Sequence, residues 1–188
     1  MGGEMKFIET PLAKAFVVEL EPFRDERGIF ARTFCRKEFE QIGFDRQIVQ
    51  INYSLTRQKG AIRGMHYQCP PASEIKIVRC VQGRVFDVMV DIRKDSPTFL
   101  QWYGMELSND NLRMFYIPEG FAHGFQACTD NAELIYFVSA FYSPDLERGL
   151  RFDDPVIGIH WPLPAGEVSS KDLHCPLIDS NFKGVAIK

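Results

Sequence analysis

The sequence predicts an all-β fold, a sandwich or barrel of short strands. Three observations carry that prediction. Residues Val85–Ile92 alternate with period two: Phe86, Val88, Val90 and Ile92 share one face, and Val85, Asp87, Met89 and Asp91 share the other. Gly, Pro, Asn and Asp turns separate apolar runs too short for ordinary helices. Sixteen Phe, six Tyr and two Trp supply ample bulk for the core between two sheets.

The elements follow in order. Met1–Glu4 is expected to be an expression remnant ahead of a native Met5, and the stretch to Pro11 lacks a basic-then-apolar leader pattern. Arg36–Ile42 is the best helix, ended by Gly43. Gly60 and Gly64 bracket Ala61-Ile62-Arg63. Ile75–Val81 is rich in β-branched residues and reads as a strand, as does Glu133–Phe141. A short turn follows Ser108–Asn111. From Asp153 onward, Pro155, Pro162, Pro164 and Pro176 predict an irregular tail over residues 153–188 that wraps the barrel, with Ser169-Ser170-Lys171-Asp172 capping a short helix. The 188 residues suit one domain, without repeats or linkers.

Composition excludes several function classes. The formal net charge is −3, so no broad basic field is available for nucleic acid. No run approaches the roughly 20 apolar residues of a membrane helix. Five scattered cysteines contain no C-x-x-C pair, which predicts free thiols in a reducing cytoplasm. No G-x-G-x-x-G motif points to a dinucleotide cofactor.

Polar chemistry sits where a core prefers apolar residues: His66, Lys76, Asp87, Asp91 and Tyr136 all lie inside strand-like runs. A water-covered sheet face accommodates such residues singly. Lining one lumen together, they are the parts of an acid–base site. Alternation does not say which face is the lumen. A second signal is Pro118-Glu119-Gly120-Phe121-Ala122-His123-Gly124, the P-x-G-x-x-H signature of cupin barrels, in which the His often binds a metal. The companion H-x-H is missing, because Tyr67 and Gln68 follow His66, and the chain has four histidines in all. No catalytic metal is expected.

Several segments, in order, resemble the dTDP-4-dehydrorhamnose 3,5-epimerases, cupin-fold epimerases of activated deoxysugars. They include Asp25-Glu26-Arg27-Gly28-Ile29-Phe30, Gln50-Ile51-Asn52-Tyr53-Ser54 and Arg63-Gly64-Met65-His66-Tyr67-Gln68. Lys76-Ile77-Val78-Arg79-Cys80, the Asp87–Thr98 stretch and Ile117–Phe125 follow, then Ile159-His160-Trp161-Pro162 and Ser170-Lys171-Asp172. The resemblance implies a cupin-like jelly-roll barrel with a few short peripheral helices. It implies His66 as catalytic base, Asp172 as the carboxylate orienting it, and Tyr136 as the acid on the opposite face. Lys76 and His123 match residues contacting the sugar and its keto oxygen, and Asp87 the partner that orients His123. Arg27, Gln50, Asn52, Arg63, Glu147 and Lys171 match further ligand contacts, and Tyr142 an aromatic that stacks on the base. Arg32, also assigned to the substrate pocket, replaces a commoner Glu; Glu74 replaces a commoner Gln and Met65 a commoner Leu.

The implied reaction is epimerisation of a nucleotide-linked 4-keto-6-deoxyhexose at C3, C5 or both, with no cofactor and no metal. The keto group acidifies both neighbouring carbons, and a neutral imidazole is a base poised near pH 7. The implied partners are a dTDP-sugar and a second copy of the chain, which lends residues near Arg27 and Phe30. The alternatives are a mono-epimerase acting on another nucleotide 4-keto sugar, a metal-dependent cupin, and a non-catalytic sugar-nucleotide binder.

Overall fold

The computed structural model describes residues 3–187; Met1 and Gly2 of the expected remnant lie outside the described residues. Two antiparallel sheets face each other. The first takes β1 (Lys6–Glu9), β2 (Phe16–Glu19), β10 (Arg113–Ile117), β7 (Lys76–Gln82), β12 (Ala132–Val138) and β5 (Gln50–Thr56), in that spatial order. The second takes β13 (Glu147–Gly149), β6 (Ile62–Gln68), β11 (Phe121–Ala127), β8 (Arg84–Asp91) and β9 (Trp102–Ser108). From β5 to β13 the chain alternates between the sheets except at the β8–β9 hairpin, as in a cupin jelly roll. A separate hairpin pairs β3 (Phe23–Asp25) with β4 (Gly28–Phe30), and every residue of both strands is exposed.

The alternation in β8 resolves into two buried faces. Val85 and Met89 point between the sheets, where they pack with Val78, Phe115, Phe125 and Leu134. Val88, Val90 and Ile92 point outward, yet they are buried too, under Leu150, Ile157, Trp161 and Val185. The proline-rich tail is therefore the outer wall of the five-stranded sheet, which explains why β8 is apolar on both sides. The six-stranded sheet is covered outside by an aromatic cluster around α1 (Arg36–Phe39), with Phe39, Phe44, Phe34 and Tyr116 in edge and tilted contacts.

The predicted helix is α1 followed by a 3-10 turn, Glu40–Ile42, and Gly43 ends it at φ 83°. The predicted turn at Ser108 closes on itself: Asn111 Oδ1 accepts from the Ser108 N–H and Ser108 Oγ from the Asn111 N–H. Two boundaries differ from expectation. Strand β12 ends at Val138, and at the next residue the Ser139 hydroxyl accepts the Ile75 N–H at 2.8 Å. Gly64 does not terminate a segment but sits inside β6 at φ 118°. A Cβ there would lie 2.6 Å from Gly124 Cα, so two strands approach too closely for any side chain.

Candidate active site

The two sheets put different chemistry on opposite walls of the barrel. On the five-stranded wall, His66 of β6 pairs in register with His123 of β11, and Asp87 of β8 is diagonal to His123. On the six-stranded wall, Tyr136 of β12 lies opposite Asn52 of β5 and diagonal to Lys76 of β7. His66, Lys76, His123, Tyr136 and Asp172 line a single cavity of about 420 Å³. A smaller chamber of about 130 Å³ shares His66, Lys76 and Tyr136 and adds Gln50, Asn52, Glu74, Tyr142 and Glu147. The lumen-facing set of β8 is thus Val85, Asp87 and Met89, the choice that alternation left open.

His66 Nε2–H donates to Asp172 Oδ1 at 2.6 Å. The carboxylate comes from the start of α2 (Ser170–Leu173), a single turn whose N-cap Ser169 accepts the Asp172 N–H. Its second oxygen accepts the Gly64 N–H at 3.2 Å. Burial works to raise the Asp172 pKa. The His66 ring, the Gly64 N–H and Ser169 outweigh it and hold the carboxyl below its ordinary value. His66 keeps its other ring nitrogen for the cavity, and its side chain is 30% exposed against 3% for Asp172.

His123 is held the same way. Its Nε2–H donates to both Asp87 oxygens, at 2.9 and 3.1 Å. Complete burial pushes the Asp87 carboxyl up, against the opposing pull of His123 and Lys76. Asp91 belongs elsewhere: it accepts from Arg93, Ser96 and Thr98 in a structural network outside the cavity.

Burial, with the Glu74 charge second, raises the Tyr136 pKa above the usual phenol value, which keeps the hydroxyl protonated at neutral pH. Lys76, nearly buried, donates to the His66 carbonyl at 3.4 Å. Arg63 reaches from β6 to the opposite sheet, where it meets Thr56 Oγ1 and the Leu55 carbonyl. At the rim, Glu147 Oε2 accepts from Lys171 Nζ at 2.6 Å and from the Tyr142 hydroxyl at 2.8 Å. Burial tends to raise Glu147, but those two donors bring it below its ordinary value. Gln50 Nε2 donates to Asn52 Oδ1, which fixes both amides on the lumen face of β5.

Two expected contacts lie away from the cavity within one chain. Arg27 is on the exposed β3–β4 turn and pairs with Asp25. Arg32 pairs with Glu38, which also accepts the Met5 N–H beside α1. The sequence reading missed Ser54, Thr56, Arg57, Gln58, Glu167 and Ser169 of the larger chamber. Ser54 and Thr56 had a signal: polar residues occupy positions 50, 52, 54 and 56 of β5, every second place. The loop residues and the tail had none.

A jelly roll with a carboxylate-oriented imidazole on one wall and a protonated phenol on the other defines a class, barrels equipped to move protons at carbon. Within it, residues 9–180 match the family of dTDP-4-dehydrorhamnose 3,5-epimerase, and the chain belongs to that family. It is 46% identical over 171 residues to the dTDP-4-dehydrorhamnose 3,5-epimerase of Shigella flexneri, covering 90% of this chain and 94% of that one. The crystal structure of the Legionella pneumophila 3,5-epimerase in complex with dTDP-4-keto-L-rhamnose superimposes with a TM-score of 0.91 at 38% identity, over 98% of this chain and all of that one. The Bacillus anthracis enzyme, solved with TDP and pyrophosphate bound, gives 0.89 at 40% identity, over 93% of this chain and 99% of that one.

Proposed function

We propose that this chain epimerises a dTDP-linked 4-keto-6-deoxyhexose at C3 and C5 through an enolate. The observation that carries the reading is the His66–Asp172 pair facing Tyr136 across one cavity. The free ring nitrogen of His66 takes the proton from the carbon beside the keto group, the C–H electron pair becomes the enolate C=C bond, and the carbonyl π pair moves onto the keto oxygen. Asp172 fixes the tautomer and stabilises the imidazolium. The Lys76 ammonium, with His123, meets the charge growing on that oxygen. Tyr136 then delivers a proton to the opposite face of the carbon, which inverts it. Solvent reprotonates the phenolate and accepts the imidazolium proton. Arg63 and Lys171 suit the diphosphate, and Tyr142 the base.

The test is incubation with dTDP-4-keto-6-deoxyglucose in D2O, followed by NMR. Deuterium is expected at C3 and C5 of the product, and a substrate without exchange sinks the proposal. His66→Ala is expected to abolish exchange. Tyr136→Phe is expected to stop net inversion while exchange on one face survives.

The same reading makes the protein a cytoplasmic homodimer. Free cysteines support the compartment, and no helix among the described residues is long and apolar enough to cross a membrane. For the dimer, Ile51 and Tyr53 stand 60% exposed on the outer face of β5. Ile135, in register with both Tyr53 and Arg79, links them to the buried Arg79 Nη1, which has no hydrogen-bond partner among the described residues. The hairpin carrying Arg27 exposes Phe23, Ile29 and Phe30. Sedimentation equilibrium is expected to give twice the chain mass, and a monomer at micromolar concentration overturns this part.

A further inference from the structure

Three carboxylates of the cavity lining, Glu74, Glu147 and Glu167, have no part in the scheme above, and Glu74 is the one beside Lys76. Glu74 stands two residues before Lys76, so in extended chain both side chains leave on the same side, while Ile75 between them turns outward to the α1 cluster. Glu74 and Lys76 are 12% and 10% exposed and line the smaller chamber with His66 and Tyr136. Glu74 Oε1 is 3.3 Å from Lys76 Nζ, and the same ammonium lies 3.4 Å from the His66 carbonyl. An ion pair this buried is poor evidence of stabilisation, because desolvation offsets the attraction. Its place between the two chambers gives it another use. An ammonium has three N–H donors. One is directed at the His66 carbonyl, the Glu74 carboxylate holds the ammonium by charge at 3.3 Å, and an N–H remains for an oxygen in the cavity.

We propose that Glu74 is the positioning residue of Lys76, holding the ammonium between itself and the His66 carbonyl so that a free N–H meets the keto oxygen. The inference rests on the epimerase reading and extends it to a residue that reading leaves idle. Glu74 has a second effect on the opposite proton donor. Burial is the largest influence on the Tyr136 phenol, Glu74 and Glu147 add to it, and Arg63 opposes it. The other charged and titratable groups of the larger chamber are Arg57, His66, His123, Glu167 and Asp172, and those of the smaller are Tyr67 and Tyr142, while the buried Asp87 carboxyl feels the Lys76 charge. Glu74 thus steadies the cation that receives charge and discourages loss of the proton that must be delivered.

The test compares Glu74→Gln and Glu74→Asp with the wild type. Initial rates use dTDP-4-keto-6-deoxyglucose. Tyr136 is titrated by 13C NMR of ring-labelled tyrosine, assigned with Tyr136→Phe. Glu74→Gln is expected to lower kcat about tenfold with KM nearly unchanged, because the keto oxygen gains its charge only in the transition state. The Tyr136 titration is expected to move down, because one of the charges that raises it is gone. Glu74→Asp, which keeps the charge, is expected to restore most of both; thermal melts confirm folding. An active wild type whose Glu74→Gln variant matches it in kcat and in the Tyr136 titration overturns this inference alone. A wild type inert in D2O overturns the epimerase reading and takes this inference with it.

Discussion

Asp172 shows how one buried group ties stability to catalysis. Its pKa is held down in the folded chain, so its contribution is present above the unfolded value, about 3.9, and is lost as pH falls through the folded value. Asp172→Asn removes that dependence. Its stability is expected to change less than the wild type's between pH 5 and acid, which urea titrations at several pH values would reveal. The same change leaves the His66 tautomer unset, and kcat is expected to fall about a hundredfold or more at pH 7. A variant with full activity would mean that the 2.6 Å contact does not orient the base. None of this pairing is legible from spacing, since residues 66 and 172 are separated by 106 positions.

The burden on β6 is carried by its glycine. Gly64 adopts a positive φ against Gly124, and its N–H points at the carboxylate that orients His66 two residues later. Gly64→Ala would place a Cβ 2.7 Å from the His123 carbonyl oxygen and 2.6 Å from the Gly124 Cα. A loss of about 2–4 kcal/mol is expected in denaturant unfolding, with reduced activity in the fraction that folds. An unchanged midpoint would show that the strands part without cost. The glycine was visible in the sequence, where it read as the end of a segment. Only the pairing of β6 with β11 reveals that it is a contact point inside a strand.

The tail works at the scale of the whole molecule. It closes the outer face of the five-stranded sheet and delivers Asp172 to the lumen side, so one segment serves both core and site. These roles separate by mutation. Ile157 is 6% exposed in the outer cluster, away from the cavity. Ile157→Ala is expected to cost about 2–4 kcal/mol in unfolding free energy while the kcat of the folded protein stays near wild type. A loss of kcat without a loss of stability would reverse that division. The irregular course of the tail over the barrel was expected from Pro155, Pro162, Pro164 and Pro176, whereas the sheet it covers was not.

The sequence by itself determined the strand-rich class, the period of β8, the caps at Gly43 and Ser169, and, through an ordered set of local segments, the family. Each of these is written in neighbouring residues, where side-chain alternation and backbone preference act. Tertiary structure alone decided which face of β8 lines the lumen and that Arg27 and Arg32 lie outside the cavity of their own chain. The meeting of Asp172 with His66 and the place of Tyr136 across from it, implied by the family resemblance and by no local spacing, took their geometry from it as well. The physical reason is that an acid–base site is a set of through-space distances. Two sheets folded face to face bring distant residues within 3 Å, and no spacing along the chain encodes that approach.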